Sequence, residues 1–388
     1  MAGIRVKVEP ATINWVIENI PPDEMPSDIL STLEGWREGL VQPTLNQVKT
    51  LSRKIHIPFG YFFLSSPPKE ELPILEYRTI GSAAVKPPSR NLVDIIKSAE
   101  HMQDWMRDYL IDAGSDVLHF VGAGKNICSA LELAELIRKD LGLATEWYTD
   151  SKDAVDSFKI IRKRLENVGV LVFINGVVGA NTQRKLDIDV FRAFTLIDEY
   201  APLIFINRND SDGARLFSLL HEVVHIWLGI ASFYNEKDGT VTNTSDIERL
   251  CNAVTAEILV PNRIFKEKWE LYSQHFPEKS VVKKLADMFK CGIIVIARRA
   301  KDNNYINKSQ YQEIVDMAID IYNKQKEKRK SGGGNFYRTA ASRYDSRFLL
   351  ALDNSIKERK TQYPDAYRLI GFNRTSFSHL LETVRGGV

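Results

Sequence analysis

The sequence predicts an α+β fold in which a small antiparallel or mixed sheet packs against a buried helix, between helical units at the two ends of the chain. Three segments rich in Val, Ile and Phe, at residues 168–175, 191–197 and 203–207, have the composition and length of strands. The connections between them show no convincing helical crossover, which favours antiparallel or mixed pairing over a doubly wound parallel sheet. A strongly apolar helix is predicted next, at residues 214–228.

Further helices are predicted on both sides of this central region. Residues 89–113 and 129–141 have helical periodicity and precede the strands. Residues 245–259 follow the buried helix, and other helices continue to about Gln325. Helices therefore outnumber strands, which is consistent with an α+β arrangement.

The first part of the chain, residues 1–70, is predicted to be a separate unit of short helices. Ile13 and Val16 belong to an apolar stripe with helical spacing, and Thr44 is placed to cap a later helix. The proline-rich segment 67–73 is typical of a linker.

Length and charge predict two to three domains and a basic C-terminal end. The chain has 388 residues, and a domain averages about 150. The net charge of +2 is uneven, because residues 323–388 hold fourteen Lys or Arg against six Asp or Glu. We interpret residues 324–334 as a charged, glycine-rich linker and residues 335–388 as a basic helical tail. Such a tail is either a solvated helical face or a surface for nucleic acid or an acidic partner.

Several classes of protein are disfavoured. The longest apolar runs, 168–174 and 292–297, are far shorter than the roughly 18 residues of a membrane helix. Cys128, Cys251 and Cys291 are odd in number and form no CxxC pair, so a disulfide framework is not expected. The N-terminus has no apolar signal core. We therefore expect a cytoplasmic protein without membrane association.

The strongest chemical motif is an HExxH sequence at residues 221–225. Ser218, His221, Glu222 and His225 form one polar stripe on a helix that is otherwise apolar on nearly every side. Buried imidazoles and a buried carboxylate are costly without partners, and a zinc ion held by the two histidines removes that cost. The alternative is a polar stripe that faces a cleft.

The helix at residues 245–259 offers a third ligand for such an ion. Its acidic residues are Asp246, Glu248 and Glu257, and all three are solvated under the simplest alternative. Glu248 borders the apolar face and lies one turn before Asn252, so the two can act as ligand and hydrogen-bonding neighbour. Geometry therefore favours Glu248 as the ligand, with Asn252 and Ser218 supporting the site.

The segments Leu216-Phe-Ser-Leu-Leu-His-Glu-Val-Val-His and Ile247-Glu-Arg-Leu-Cys-Asn resemble the ImmA/IrrE family of metallo-endopeptidases. The resemblance covers residues 74–323 and implies a zincin-like peptidase core. It also implies one Zn²⁺ per chain, bound by His221, His225 and Glu248, with Glu222 as the catalytic residue.

Residues 1–70 are similar to the Xre-type helix-turn-helix unit that is found fused to these peptidases. The similarity lies in residues 33–39, 42–48 and 57–64. Between Trp15 and Trp36, however, there is too little chain for a full pair of reading helices. The unit also holds seven basic and eight acidic residues, a poor basis for phosphate contacts. The alternative to DNA binding is a helical adaptor that packs on the protease or on a partner.

The resemblance implies an endopeptidase that cleaves a specific repressor or antitoxin in a phage, mobile-element, toxin–antitoxin or stress-response system. The alternative is a non-proteolytic regulator of transcription, or an antitoxin-like binding protein, that retains the metal-binding fold. A substrate peptide is expected along a sheet edge near residues 191–197. Tyr234, Arg215 and His275 are candidates for stabilising the oxyanion.

Overall fold

The structure is a computed structural model that describes residues 3–22, 24–70, 88–234, 246–329 and 336–386. The chain divides into two compact units, which are Met1–Pro73 with Ser82–Lys97, and Ile74–Gly81 with Ser98–Val388. None of the helices within the described ranges is both long enough and apolar enough to cross a membrane.

The first unit is built from short helices around a small apolar core. They are α1 (Pro10–Glu18), α2 (Ser27–Arg37), α3 (Leu45–Ile55) and a 3₁₀ turn at Phe59–Phe63. Ile13, Leu33, Val48 and Phe62 are fully buried among them. The predicted cap at Thr44 is confirmed, because its hydroxyl accepts from the Gln47 amide while the Gln47 side chain accepts from the Thr44 amide. The helix-turn-helix assignment stays a prediction.

A long helix, α4 (Arg90–Asp112), begins in the first unit and ends in the second. The other helices of the second unit are α5 (Ala130–Asp140), α6 (Ala154–Val168), α7 (Asp212–Leu228), α8 (Asp246–Leu259), α9 (Asn262–Ser273), α10 (Glu278–Phe289), α11 (Ile293–Asp302), α12 (Lys308–Arg329), α13 (Phe336–Ala341), α14 (Ser346–Lys357), α15 (Tyr363–Ile370) and α16 (Arg374–Arg385). A 3₁₀ turn lies at Trp147–Asp150.

The sheet of the second unit is mixed, as predicted. The strands are β1 (Leu171–Asn175), β2 (Val177–Val178), β3 (Asn181–Lys185), β4 (Ala193–Leu196), β5 (Leu203–Asn207) and β6 (Ser232–Tyr234). The main sheet has the order β1-β5-β4-β6, with β1 parallel to β5 and β4 antiparallel to both of its neighbours. β2 and β3 form a separate hairpin in the connection between β1 and β4, for which the sequence predicted no helical crossover.

The expected substrate edge near residues 191–197 is wrong. β4 occupies that segment and is paired with β5 on one side and with β6 on the other, so its backbone groups are already used within the sheet. The sequence does not reveal β6, because three residues are too short for a recognisable strand pattern. Among the described strands, β6 and β1 are the outer ones.

Helix α7 lies within the core and carries the HExxH sequence. It begins after Ser211, whose hydroxyl accepts from the Ala214 amide, and ends at Gly229, which has a positive φ of 69°. It contacts α6, α8, β4, β5 and β6. From Ser218 to Leu228 every residue is buried, so polar groups on this stretch need partners inside the protein.

The C-terminal helices belong to the second unit, which differs from the separate basic tail that the charge distribution predicts. The Phe173 ring of β1 lies 5.4 Å from that of Phe348 on α14, and the Ile174 amide donates to the Arg343 carbonyl at 2.9 Å. Asp345 accepts from the Val172 amide at 3.3 Å. Apolar side chains of α14 therefore cover the sheet. The basic composition of residues 335–388 did not indicate this packing, because cationic residues outnumber the other charged residues there.

The predicted linker at residues 324–334 also differs from the structure in part. α12 continues to Arg329, so residues 324–329 are helical. Residues 330–335 lie outside the described residues.

Candidate metal centre

Two histidines of α7 and one glutamate of α8 converge on one point. Nε2 of His221 lies 3.2 Å from Nε2 of His225 and 3.1 Å from Oε2 of Glu248. Oε1 of Glu248 lies 3.5 Å from Nε2 of His225. Two ligand atoms that are each about 2.0–2.2 Å from a tetrahedral zinc ion lie about 3.3–3.6 Å apart. The three predicted ligands are thus spaced to hold one metal ion, and they leave a fourth position open.

One of the two histidines, His221, is held in the orientation that a metal requires, whereas Nδ1 of His225 is buried without a hydrogen-bond partner among the described residues. His221 donates from Nδ1 to Oδ1 of Asn252 at 3.1 Å, which leaves its Nε2 lone pair directed at the ligand cluster. Burial lowers the pKa of His225 to about 3, with a further contribution from His221, so this imidazole is neutral near pH 7. Asn252, predicted as a neighbour of the site, therefore positions a ligand from one turn beyond Glu248.

The third ligand is a carboxylate in the charged form. Burial by itself raises the pKa of Glu248, but before a metal binds, a protonated His221 beside the carboxylate outweighs this effect and lowers the pKa overall. The side chain is 22% exposed, compared with 0% for His221 and 2% for His225. The cluster is therefore reached from the Glu248 side.

Glu222 lies beside the ligands and is fully buried. Thr195 of β4 donates to its Oε2 at 2.5 Å, and Ser232 of β6 donates to the same oxygen. Oε1 is buried without a hydrogen-bond partner among the described residues. Burial raises the pKa of Glu222 to about 7. One carboxylate oxygen is thus fixed while the other can accept a proton, which is suitable for a general base.

The unpartnered Oε1 also tests whether this site fits a metal-dependent reaction. A buried acceptor without a donor is costly, and a water molecule at the open metal position would donate to it. The nitrogen, nitrogen and oxygen ligand set, with an open fourth position, is typical of catalytic zinc sites. The residues present therefore fit the predicted ion.

The other two acids of α8 have different roles. Asp246 is exposed and pairs with Arg249. Glu257 is buried, accepts from Arg299 Nη2 at 2.7 Å and from the Asn262 amide at 3.2 Å. The alternative that all three acids are solvated is therefore wrong for Glu257, which holds α8 to α11. It does not join the ligand cluster, as its position on the opposite side of the helix predicted.

The remaining predicted residues lie around the centre. Ser218 is buried one turn before His221 and lines an adjacent cavity. Arg215 pairs with Asp212 at the start of α7, and His275 is exposed just beyond α9. The side chain of Tyr234 lies outside the described residues. No oxyanion role follows for these three from the described contacts.

Sequence reasoning missed Thr195 and Ser232, the two hydroxyls that hold Glu222. Thr195 carried a weak indication, because it and Arg192 are the two polar side chains of the otherwise apolar segment 191–197. Ser232 carried none, because its strand is too short to recognise and joins the sheet only through tertiary contacts.

Comparison with known families assigns two segments of the chain. A family model described as the IrrE N-terminal-like domain, of peptidase type M78, matches residues 165–301. A model of a domain of unknown function (DUF8813) matches residues 344–383, which span α14 to α16. No curated protein and no solved structure is similar enough to match.

The first match covers roughly a third of the chain and includes the whole ligand cluster. It contains His221, Glu222, His225 and Glu248, and it indicates a metallopeptidase-type function for this segment. The expected resemblance is confirmed over residues 165–301. The match does not extend to residues 1–70.

Proposed function

We propose that this protein is a zinc-dependent endopeptidase that cleaves a specific regulatory protein, such as a repressor or an antitoxin. The observation that carries the proposal is the convergence of His221, His225 and Glu248 beside a buried carboxylate with one unpartnered oxygen. The IrrE-type match over the same residues supports a peptidase rather than another metal-dependent reaction. The regulatory nature of the substrate rests on the family resemblance alone.

His221, His225 and Glu248 would hold the zinc ion, with Asn252 orienting the first of them. When bound, zinc would supply a Lewis acid that polarises the scissile carbonyl and makes water more acidic. Glu222 accepts a proton at Oε1 from the water that attacks the carbonyl carbon. It then passes the proton to the amine nitrogen as the carbon–nitrogen bond breaks. Thr195 and Ser232 keep Oε2 in place during both transfers.

The substrate would lie along β6 rather than along β4. β6 is the outer strand of the described sheet on the side of Glu222, and Ser232 at its start contacts that residue. An extended peptide that pairs with an outer strand gains backbone hydrogen bonds and brings its carbonyl carbons near the site.

Metal content tests the first half of the proposal. We expect about one zinc ion per chain in the wild type and in Asp246→Ala, and loss of the metal in Glu248→Ala. Asp246 is the matched control, because it is an acid in the same first turn of α8 but lies outside the cluster. A wild-type protein that takes up no zinc even after reconstitution would rule out the enzyme.

Glu222→Gln tests the second half. We expect the variant to keep its zinc but to lose cleavage of the regulatory protein that the wild type cuts, by about a hundredfold or more. If cellular function survives Glu222→Gln but is lost in His221→Ala, the metal is structural and the protein is a non-proteolytic regulator. DNA contact by the terminal units stays a prediction of the sequence.

A further inference from the structure

A cavity of about 1300 Å³ lies beside the N-terminal half of α7. Its walls come from the segment between β5 and α7 and from α7, α8, α11 and α12. Phe217, Ser218 and Asn252 line it, whereas the three ligands and Glu222 are not among the described residues of its lining. The cavity is large enough for a small organic molecule, since such sites usually have volumes of about 300–1,000 Å³.

The cavity lies on the Nδ1 side of the His221 ring rather than on the Nε2 side, which faces the other two candidate ligands. Asn252, which lines the cavity, binds Nδ1 of His221, while Nε2 of the same ring points to Glu248 and His225. A scissile peptide has to reach the Nε2 side. The scissile bond itself would therefore lie outside this cavity, whose described lining contains neither the three candidate ligands nor Glu222.

Six arginines and four aspartates are among the described residues that line the cavity, and one of the arginines differs from the rest. Five have carboxylate partners, in the pairs Arg192–Asp210 (2.6 Å), Arg215–Asp212, Arg249–Asp246, Arg298–Asp302 (3.0 Å) and Arg299–Glu257 (2.7 Å). Arg208 donates instead to the neutral hydroxyl of Ser342 at 3.1 Å. No carboxylate of the described residues forms an ion pair with it.

The surroundings of Arg208 are cationic. Burial lowers the pKa of Arg208, and the charges of Arg215, Arg343 and Arg162 lower it further. Arg162 donates to the Ser342 carbonyl at 2.7 Å and pairs with Glu166. Arg343 has no ion pair within the described chain. Arg343 thus adds positive charge near Arg208, although Arg343 is not among the described residues that line the cavity.

Two N–H donors in the same region lack acceptors. Nε of Arg215 and Nε of Arg343 are buried without a hydrogen-bond partner among the described residues. A buried donor that has lost water and gained no acceptor costs about 1–3 kcal/mol. Of these two arginines, Arg215 lines the cavity, so an anion at this end would supply an acceptor oxygen for its Nε.

We propose that the end of the cavity around Arg208 and Arg215 binds the phosphate group of a small molecule, whose remaining part lies toward Ile293, Ile294 and Tyr322. Guanidinium groups bind phosphate oxygens in pairs of parallel hydrogen bonds. A phosphate monoester offers three acceptor oxygens, which can accept from Arg208 and from the unpartnered Nε of Arg215 at the same time. This inference does not depend on the proposed peptidase activity.

Calorimetric titration of the full chain, with inorganic phosphate and with adenosine monophosphate as probes, tests the proposal. We expect saturable binding in the wild type and at least about tenfold weaker binding in Arg208→Gln. Arg298→Gln is the matched control, because Arg298 lines the same cavity but is paired with Asp302; it should bind as the wild type does. Tighter binding of the nucleotide indicates an organic phosphate as ligand, and preference for inorganic phosphate indicates the free anion.

Two further variants keep the test decisive. If Arg208→Gln does not fold, Arg208→Lys takes its place in the test. This variant retains the charge but not the guanidinium fork, so it should bind phosphate several-fold more weakly than the wild type. Glu248→Ala should bind phosphate like the wild type, because the cavity lies apart from the metal ligands. Absence of binding in the wild type, equal affinity in Arg208→Gln, or loss of binding in Glu248→Ala alone would each overturn the proposal.

Discussion

At the scale of single residues, the two oxygens of the buried Glu222 carboxyl group have different surroundings. The polar stripe on α7 predicted that buried groups here need partners, and a metal ion was the partner inferred. The structure adds hydroxyl donors from β4 and β6 to one carboxylate oxygen. The other oxygen remains available for chemistry.

Replacing Thr195 by Val should destabilise the protein by about 1–3 kcal/mol, because it removes a donor from a fully buried carboxyl group. Thr195→Ser keeps the hydroxyl and should cost less. Thr255→Val is the matched control, since its hydroxyl is also buried but has no partner among the described residues; it should be neutral or stabilising. Urea unfolding at constant zinc concentration measures all three, and equal costs for the two valine variants would contradict the role of Thr195.

Glu70 makes the stability of the first unit depend on pH. It accepts from Arg90 at 2.5 Å and from Lys97 at 2.6 Å. Burial raises the pKa of Glu70, but these two cations outweigh that effect and lower it overall. Because the folded pKa lies below the unfolded one, the stabilisation is complete above about pH 4.5 and is lost as the pH falls through the folded pKa.

We therefore expect Glu70→Gln to destabilise the protein by about 1–3 kcal/mol at pH 7, where Arg90 and Lys97 lose the carboxylate of Glu70 while Arg90 retains its contact with Asp94 at 3.6 Å. The difference from the wild type should shrink as the pH is lowered from 7 to about 3.5. Urea unfolding followed by circular dichroism across this range gives the measurement, and Glu38→Gln, an exposed acid of the same unit, is the control. A difference that does not change with pH would exclude this linkage.

At the scale of elements, α7 is held in place by close backbone contact at its start. A Cβ atom built on Gly213 would lie 2.7 Å from the Cα atom of Gly292, which immediately precedes α11. The Cα atom of Gly292 belongs to the backbone, so it cannot move aside as the end of a flexible side chain can. This approach sets how α7 and α11 meet at the wall of the cavity.

Gly213→Ala should destabilise the protein by about 1–3 kcal/mol through this clash, although alanine is the better helix former. Gly35→Ala provides the comparison, because Gly35 lies inside α2 with no atom within 4 Å of the built Cβ; it should stabilise by about 0.5–1 kcal/mol. Thermal and urea unfolding measure both variants. Effects of the same sign would show that helix propensity, rather than contact with Gly292, decides at Gly213.

At the scale of the whole molecule, the C-terminal helices complete the second unit. β1 is buried along its full length, and Phe348 of α14 packs on Phe173 from that strand. Asp345 is fully buried between α13 and α14, where its carboxylate caps α14 and accepts from the Val172 amide. The segment that matches the domain of unknown function is therefore part of the core beside the metallopeptidase-type segment.

Phe348→Ala should lower the free energy of unfolding by about 3–5 kcal/mol, as expected for a fully buried aromatic side chain. Leu350→Ala, two residues along α14 at a position that is 37% exposed, should cost less than about 1 kcal/mol. Denaturant unfolding of the full chain compares the two. A small effect at Phe348 would mean that α14 can leave the sheet without disturbing the core.

Local patterns in the sequence were sufficient for the central strands and helices and for the candidate ligand cluster, but they did not reveal α6, β2, β3 or β6. Helical periodicity placed α7 and α8 to within two residues, and apolar runs located β1, β4 and β5. The spacing of His221 and His225 put both on one face of a helix, and the position of Glu248 at the edge of an apolar face selected it over Glu257. These features depend on residues a few positions apart, so the repeat of the helix or strand exposes them.

Only the tertiary structure decided the features that depend on distant segments. Ser232 reaches Glu222 because β6 pairs with β4, and Arg208 reaches Ser342 because the C-terminal helices return to the sheet. α14 joins the core although its surroundings are strongly basic, since a few buried apolar side chains outweigh many solvated charges. Such contacts join residues that are ten to more than a hundred and thirty positions apart. No short-range periodicity in the sequence indicates these contacts, because they depend on how whole elements pack.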